Sequence, residues 1–102
     1  MADDLGADEL RRYFAGRLPE RLTEVEDAGT AAQKAGWAAE PMRLFHRLAH
    51  SLAGAGGTFG FPDVTEHART LERLLKARLD GGPPPPVAEI AEILDRLRTA
   101  AK

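Results

Sequence analysis

Apolar residues recur every three or four positions in four separate stretches of this chain, and nowhere do they alternate over a strand-length run. That period is the turn of an α-helix, so each stretch is read as a helix with one buried face. Leu10, Phe14, Leu18, Leu22 and Val25 form the first stripe, and Met42, Phe45, Leu48, Ala49 and Leu52 the second. Phe61, Val64, Ala68, Leu71 and Leu75 form the third, and Val87, Ile90, Ile93, Leu94 and Leu97 the fourth. Val, Ile and Thr are scattered, while Ala, Leu, Glu and Arg dominate, which favours helix over strand. The spacing predicts helices over about 8–34, 41–56, 62–79 and 87–100. Connections of a few residues between such helices imply an all-α, antiparallel up-down-up-down four-helix bundle. At 102 residues the chain has the size of one domain with one core.

Breakers and caps set the expected boundaries. Asp8 suits a first turn, and Gly36 suits a helix end. Pro41, and the pair Pro62-Asp63, fit first turns, where a missing N–H costs nothing. Pro19 falls inside the first pattern and is expected to kink that helix or divide it near Leu18. Gly56-Gly57 is expected to end the second helix. Asp80-Gly81-Gly82 and the four prolines after it read as a stiff, extended connector. Tyr13 and Trp37 are expected to pack at an end of the bundle, with Phe59 and Phe61 closing a turn.

Composition removes several function classes. There is no cysteine, which excludes disulfides and thiolate chemistry and fits a reducing compartment. The net charge is −2, and basic residues are interspersed with acidic ones, so no basic stripe speaks for nucleic acid. No apolar run approaches the roughly 20 residues of a membrane span. The acidic opening residues resemble neither a signal nor a transit peptide. A cytoplasmic, monomeric protein is the expectation.

One helix face carries chemistry. At 100° per residue, Arg43, His46, Arg47, Ala53, Gly54 and Gly57 lie within about 60° of His50. That face is charged or small, so it is expected to be solvent-exposed. Glycine inside a helix costs roughly 1 kcal/mol relative to alanine, so Gly54 calls for a reason, and close approach of a second molecule to His50 is one. Thr65, Arg69, Glu72 and Lys76 form a flank of the third helix.

The segment His50-Ser51-Leu52-Ala53-Gly54, followed by Gly60, resembles the histidine-containing phosphotransfer (HPt) domains of two-component signalling. Their usual pattern is His-x-Leu-Lys-Gly-Ser/Gly-x-x-x-x-Gly. Here Ala53 stands where the family has lysine. Gly57-Thr58-Phe59-Gly60-Phe61 is very like the phosphotransfer domain of chemotaxis histidine kinases, and Leu71-Glu72 is a further family feature. Leu18-Pro19-Glu20-Arg21-Leu22 resembles free-standing and hybrid-kinase modules. The resemblance covers roughly residues 8–79. It implies a phosphorelay intermediate that accepts a phosphoryl group on His50 from a receiver-domain aspartate and passes it to another receiver. It also implies that Glu72 orients the imidazole. Arg69 is the first candidate to replace the missing lysine as phosphate neutraliser, ahead of Lys76, Arg43 and Arg47. Arg43, His46, Arg47, Ala53, Gly54 and Gly57 would form the docking face for receivers or a histidine kinase.

The chain would then be a carrier and not an enzyme, for it holds no Walker loop and no kinase glycine box. No cofactor is expected in it, because the receiver brings Mg²⁺, a lysine and an acid pocket. Two other readings stand beside this one. An HPt-derived docking module would bind a receiver or kinase without carrying phosphate, a reading favoured by Ala53. A helical oligomerisation unit is opposed by the charged face around His50. His46 and His50 are spaced to share a metal, but Arg43 and Arg47 would repel a cation, and His67 reads as a surface residue. No metal site is assigned.

Overall fold

The computed structural model describes residues 2–102, with side chains from Gly6 onward, so the acidic residues 1–5 read above lie outside the described side chains. Four helices make up the fold: α1 (Ala2–Lys34), α2 (Ala39–Phe59), α3 (Pro62–Leu79) and α4 (Val87–Ala100). α1 packs on α2 and α4, and α3 packs on the same two, leaving α1/α3 and α2/α4 diagonal. With connections this short, sequential neighbours run antiparallel. This is the four-helix bundle that the periodicity implies. At 1.5 Å per residue the 33 residues of α1 span about 50 Å, which matches the long axis of the molecule, 50 Å against 22 and 18 Å.

The core collects the predicted stripes. Phe14, Leu18, Leu22 and Val25 from α1 meet Met42, Phe45, Ala49 and Leu52 from α2. Val64, Ala68, Leu71 and Leu75 from α3 and Ile90, Ile93 and Leu97 from α4 complete it. Phe45 is fully buried, and truncating a phenylalanine in such a place costs about 3–5 kcal/mol. Trp37 is buried in the α1–α2 connection, and its carbonyl accepts a hydrogen bond from Arg78 Nε at 3.3 Å. Phe59 and Phe61 pack on Phe14 with ring centroids 5.1 and 5.3 Å apart, closing the α2–α3 turn as expected.

Several expectations need correction. Leu10 is 54% exposed, so the buried stripe of α1 begins at Phe14. Tyr13 also faces solvent, with the Arg17 guanidinium 5.3 Å from its ring centroid. Val87 is exposed at the start of α4. Pro19 does not divide α1. Its fixed φ is compatible with a helix, it sits on the exposed side, and Leu18 and Leu22 on either side are anchored in the core. The Thr23 hydroxyl donates to the Pro19 carbonyl at 3.0 Å.

The second helix does not stop at Gly56-Gly57 but runs on to Phe59. The stop is Gly60, whose φ of 80° lies in the left-handed region that a side chain resists. The Phe61 N–H then donates to the Gly56 carbonyl at 2.8 Å, satisfying one of the last carbonyls of α2. Gly56 has a different task. A Cβ built there would lie 2.5 Å from Thr65 Oγ1 and 3.3 Å from the Phe61 carbonyl oxygen, so α3 approaches α2 as closely as hydrogen allows. Thr65, on the flank of α3 beside the core stripe, is buried in this contact, and its hydroxyl donates to the Ala53 carbonyl at 2.9 Å.

Candidate functional site

The two-residue turn Gly60-Phe61 makes α2 and α3 a tight antiparallel hairpin. His50 and Glu72 are each eleven residues from Phe61, so the hairpin sets them opposite one another, about 16 Å from the turn at helical rise. The side chains meet there. His50 Nδ1 lies 2.8 Å from Glu72 Oε2. The imidazole is 71% exposed, while Glu72 is only 24% exposed, so a largely covered carboxylate braces a largely open ring. A neutral imidazole bonded to a carboxylate through Nδ1 carries its proton there, because a carboxylate only accepts. The other nitrogen, Nε2, is left with its lone pair free. An imidazole in that form is the one that can act as a nucleophile through Nε2.

The surroundings split into two depressions. One, about 410 Å³ in volume, is lined by Arg43, His46, Arg47, His50 and Glu72. The other, about 510 Å³, lies nearer the turn and is lined by Gly56, Gly57, Thr65, Glu66, Arg69 and Arg73, among others. Arg69 therefore lies in the second depression, one helical turn from Glu72, and Arg43 and Arg47 are the cations around the imidazole itself. Among the described residues, Arg43, Arg47 and Arg69 form no ion pair, so their charge is uncommitted. Lys76 pairs with Asp80 at 2.9 Å, and that partner raises its pKa.

The expected docking face is only partly a surface. Arg43, Arg47, Gly54 and Gly57 are exposed. Ala53 is not: it is 3% exposed and turned toward Thr65 of α3. Its angular distance from His50 brings it onto the seam between the helices, and so it belongs to the core. His46 is half-buried for the same reason, with its Nε2 3.9 Å from Glu72 Oε2. Around Gly54, by contrast, a Cβ would meet nothing within 4 Å. The bundle gives no packing reason for that glycine. His67 is half-buried on α3 and lines neither depression. No group of three or more metal-ligating side chains is arranged to hold an ion among the described residues.

Fold and site together define a histidine phosphotransfer module: a small antiparallel helical bundle that presents an open, carboxylate-braced imidazole on the outside of one hairpin. The chain matches the family model of the Hpt domain over residues 9–100, and it belongs to that family. Comparison with curated proteins and with solved structures gives no match. Hpt domains carry a phosphoryl group on a histidine in two-component relays. They are phosphocarriers and not kinases, and they work with receiver domains and histidine kinases. No described helix is long and apolar enough to cross a membrane.

Proposed function

We propose that this protein is a cytoplasmic, monomeric phosphorelay intermediate. It takes a phosphoryl group onto His50 from a receiver-domain aspartate and delivers it to an aspartate of another receiver. The observation that carries this reading is the 2.8 Å contact between Glu72 Oε2 and Nδ1 of an otherwise open His50 ring. The Nε2 lone pair attacks phosphorus, a P–N bond forms, and the aspartyl P–O bond breaks with its electron pair returning to the receiver's carboxylate. The Nδ1 proton stays on the ring, which becomes cationic as the bond forms. Glu72 faces that charge as it develops, which favours the transition state over the ground state. Delivery is the same path reversed.

The charge that the family lysine would bring is assigned to Arg47 and Arg43 first, since both line the depression that holds His50. Arg69 is the second choice, reaching from the neighbouring depression. Gly54 serves close approach, because nothing in the bundle itself needs it. The receiver contributes Mg²⁺, and this chain contributes the nucleophile, its brace and its docking face.

The test is transfer of radiolabelled phosphate from a panel of phospho-receiver domains to the wild type and to His50→Gln. Label that is acid-labile, base-stable and absent from His50→Gln is expected. A wild type that binds a receiver yet takes no label from any would favour the docking-module reading, for which the alanine at position 53 speaks.

A further inference from the structure

His46 sits one turn before His50 on α2 and is half-buried. Its Nε2 atom is out of reach of solvent and has no hydrogen-bond partner. A buried polar atom left unpaired is costly, so natural structures seldom keep one without a purpose. A carboxylate oxygen, Glu72 Oε2, lies 3.9 Å from this nitrogen, and it is the same oxygen that His50 Nδ1 contacts at 2.8 Å. One oxygen of Glu72 thus has two imidazoles within 4 Å, both from α2.

A neutral imidazole carries one N–H. With the proton on Nδ1, His46 would turn its Nε2 lone pair toward a carboxylate, and two acceptors would face each other. With the proton on Nε2, a donor faces the carboxylate, and a movement of about 1 Å brings it within ordinary hydrogen-bond range. A carboxylate oxygen has the lone pairs to accept from both rings. After that movement, one carboxylate oxygen would accept from two N–H donors. Arg43 and Arg47, lining the same depression, add positive charge around it.

We infer that His46 is a positioning residue: in its Nε2–H form it holds the Glu72 carboxylate in register with His50 and so keeps the His50 proton on Nδ1. It touches neither the phosphoryl group nor the reacting nitrogen, and it acts through Glu72 alone. The inference rests on the reading of His50 as phosphoacceptor for its effect on transfer, but not for its effect on the ring proton. Gln and Phe separate the two things that His46 supplies. Glutamine reaches with an amide N–H to about where Nε2 stands, whereas phenylalanine fills the space and donates nothing.

The experiment is nitrogen-15 NMR of the histidine rings in the intact chain, paired with the transfer rate from the phospho-receiver domain that labels the wild type fastest. In the wild type, the His46 ring should read as the Nε2–H tautomer and the His50 ring as Nδ1–H. His46→Phe should shift the His50 ring toward a mixture of tautomers and slow transfer about three- to tenfold, the size of a coupling between neighbouring side chains. His46→Gln should stay near wild type in both. A wild-type His46 ring protonated on Nδ1 would overturn the inference, and so would a His46→Phe protein whose His50 ring is unchanged. Equal loss in His46→Gln and His46→Phe would mean that only ring packing matters, which also overturns it. If the ring shifts appear as expected but the wild type takes no label from any receiver, the positioning role stands and the carrier reading falls.

Discussion

At the scale of single residues, the two glycines Gly54 and Gly56 make opposite predictions although they lie two positions apart. Gly56→Ala puts a methyl group against the Thr65 hydroxyl and the Phe61 carbonyl, so it should destabilise the fold by about 1–3 kcal/mol, the usual cost of overpacking, as read from urea unfolding. Gly54→Ala meets nothing and removes a flexible residue from a helix, so it should stabilise by up to about 1 kcal/mol. The same substitution adds bulk one turn from His50 and should slow phosphoryl transfer. A more stable Gly54→Ala protein that transfers at the wild-type rate would leave the docking role of Gly54 without support. Glu72→Gln keeps the size of the brace but loses its charge. It should slow transfer roughly tenfold, since a hydrogen bond to a charged group is worth about 1.5 kcal/mol or more and about 1.4 kcal/mol is a factor of ten. Thermal unfolding should move little, because the pair is on the rim of the bundle. The open face around His50 was legible from its company of charged and small residues, and the contact of His50 with Glu72 from the resemblance to HPt domains. The burial of Ala53, Thr65 and His46 was not. Each lies near the edge of a helix face, where angle along one helix cannot say how closely the next helix comes. A signal was present all the same: His50 and Glu72 stand at equal distances from Phe61, as facing residues of a helical hairpin must.

At the scale of elements, the difference between expected and observed boundaries comes down to how strongly a breaker is opposed by packing. Pro19 and Gly56-Gly57 both read as interruptions, and both are overridden. In α1 the core contacts of Leu18 and Leu22 hold the helix together across the proline. In α2 Gly56 lets Thr65 come close enough to seal the helix pair, while a Cβ on Gly57 would make only an ordinary contact with Thr65 at 3.7 Å. Gly60 is not overridden, since its positive φ and the bond from Phe61 N–H to the Gly56 carbonyl make it a true terminus. The four helices themselves were legible because each has a buried stripe wide enough to show in the sequence. If packing carries Pro19, then the strain is still there to be released. Pro19→Ala should raise unfolding stability by about 1–3 kcal/mol, less than or equal to the full helix-interior penalty of proline, as measured by urea unfolding. The exposed position of Pro19 means that no core contact is lost with the ring. An unchanged or lower stability would show that the proline fits α1 without cost. Transfer from a phospho-receiver should be unaffected, because α1 contributes nothing to either depression beside His50.

At the scale of the whole molecule, charge is sorted although the net is only −2. Eight of the sixteen acidic residues fall within α1. α2 has a single acid, Glu40 in its first turn, against Arg43 and Arg47. The two depressions flanking the imidazole hold Arg43 and Arg47 on one side and Arg69 and Arg73 on the other. The surroundings of His50 therefore carry an excess of positive charge on a molecule that is slightly negative. Such a local positive field orients the protein before contact, raising the rate at which an acidic partner site meets His50 and leaving wrong encounters unrewarded. The effect reaches only about 8–10 Å at ordinary salt, so it is sensitive to ionic strength. Raising salt from about 0.05 to about 0.5 M should slow second-order transfer from a phospho-receiver about three- to tenfold in the wild type. Arg43→Ala combined with Arg47→Ala should be slower at low salt and nearly flat across the same range. Arg69→Ala combined with Arg73→Ala should retain more of the salt slope if the charge nearest the imidazole matters most. Equal slopes in all three proteins would mean that the receiver is drawn to His50 by shape and apolar contact, with the arginines left to neutralise the phosphoryl group after docking. The low-salt rates would then fall in the Arg43/Arg47 variant without any change in slope, and that split between slope and intercept separates steering from chemistry.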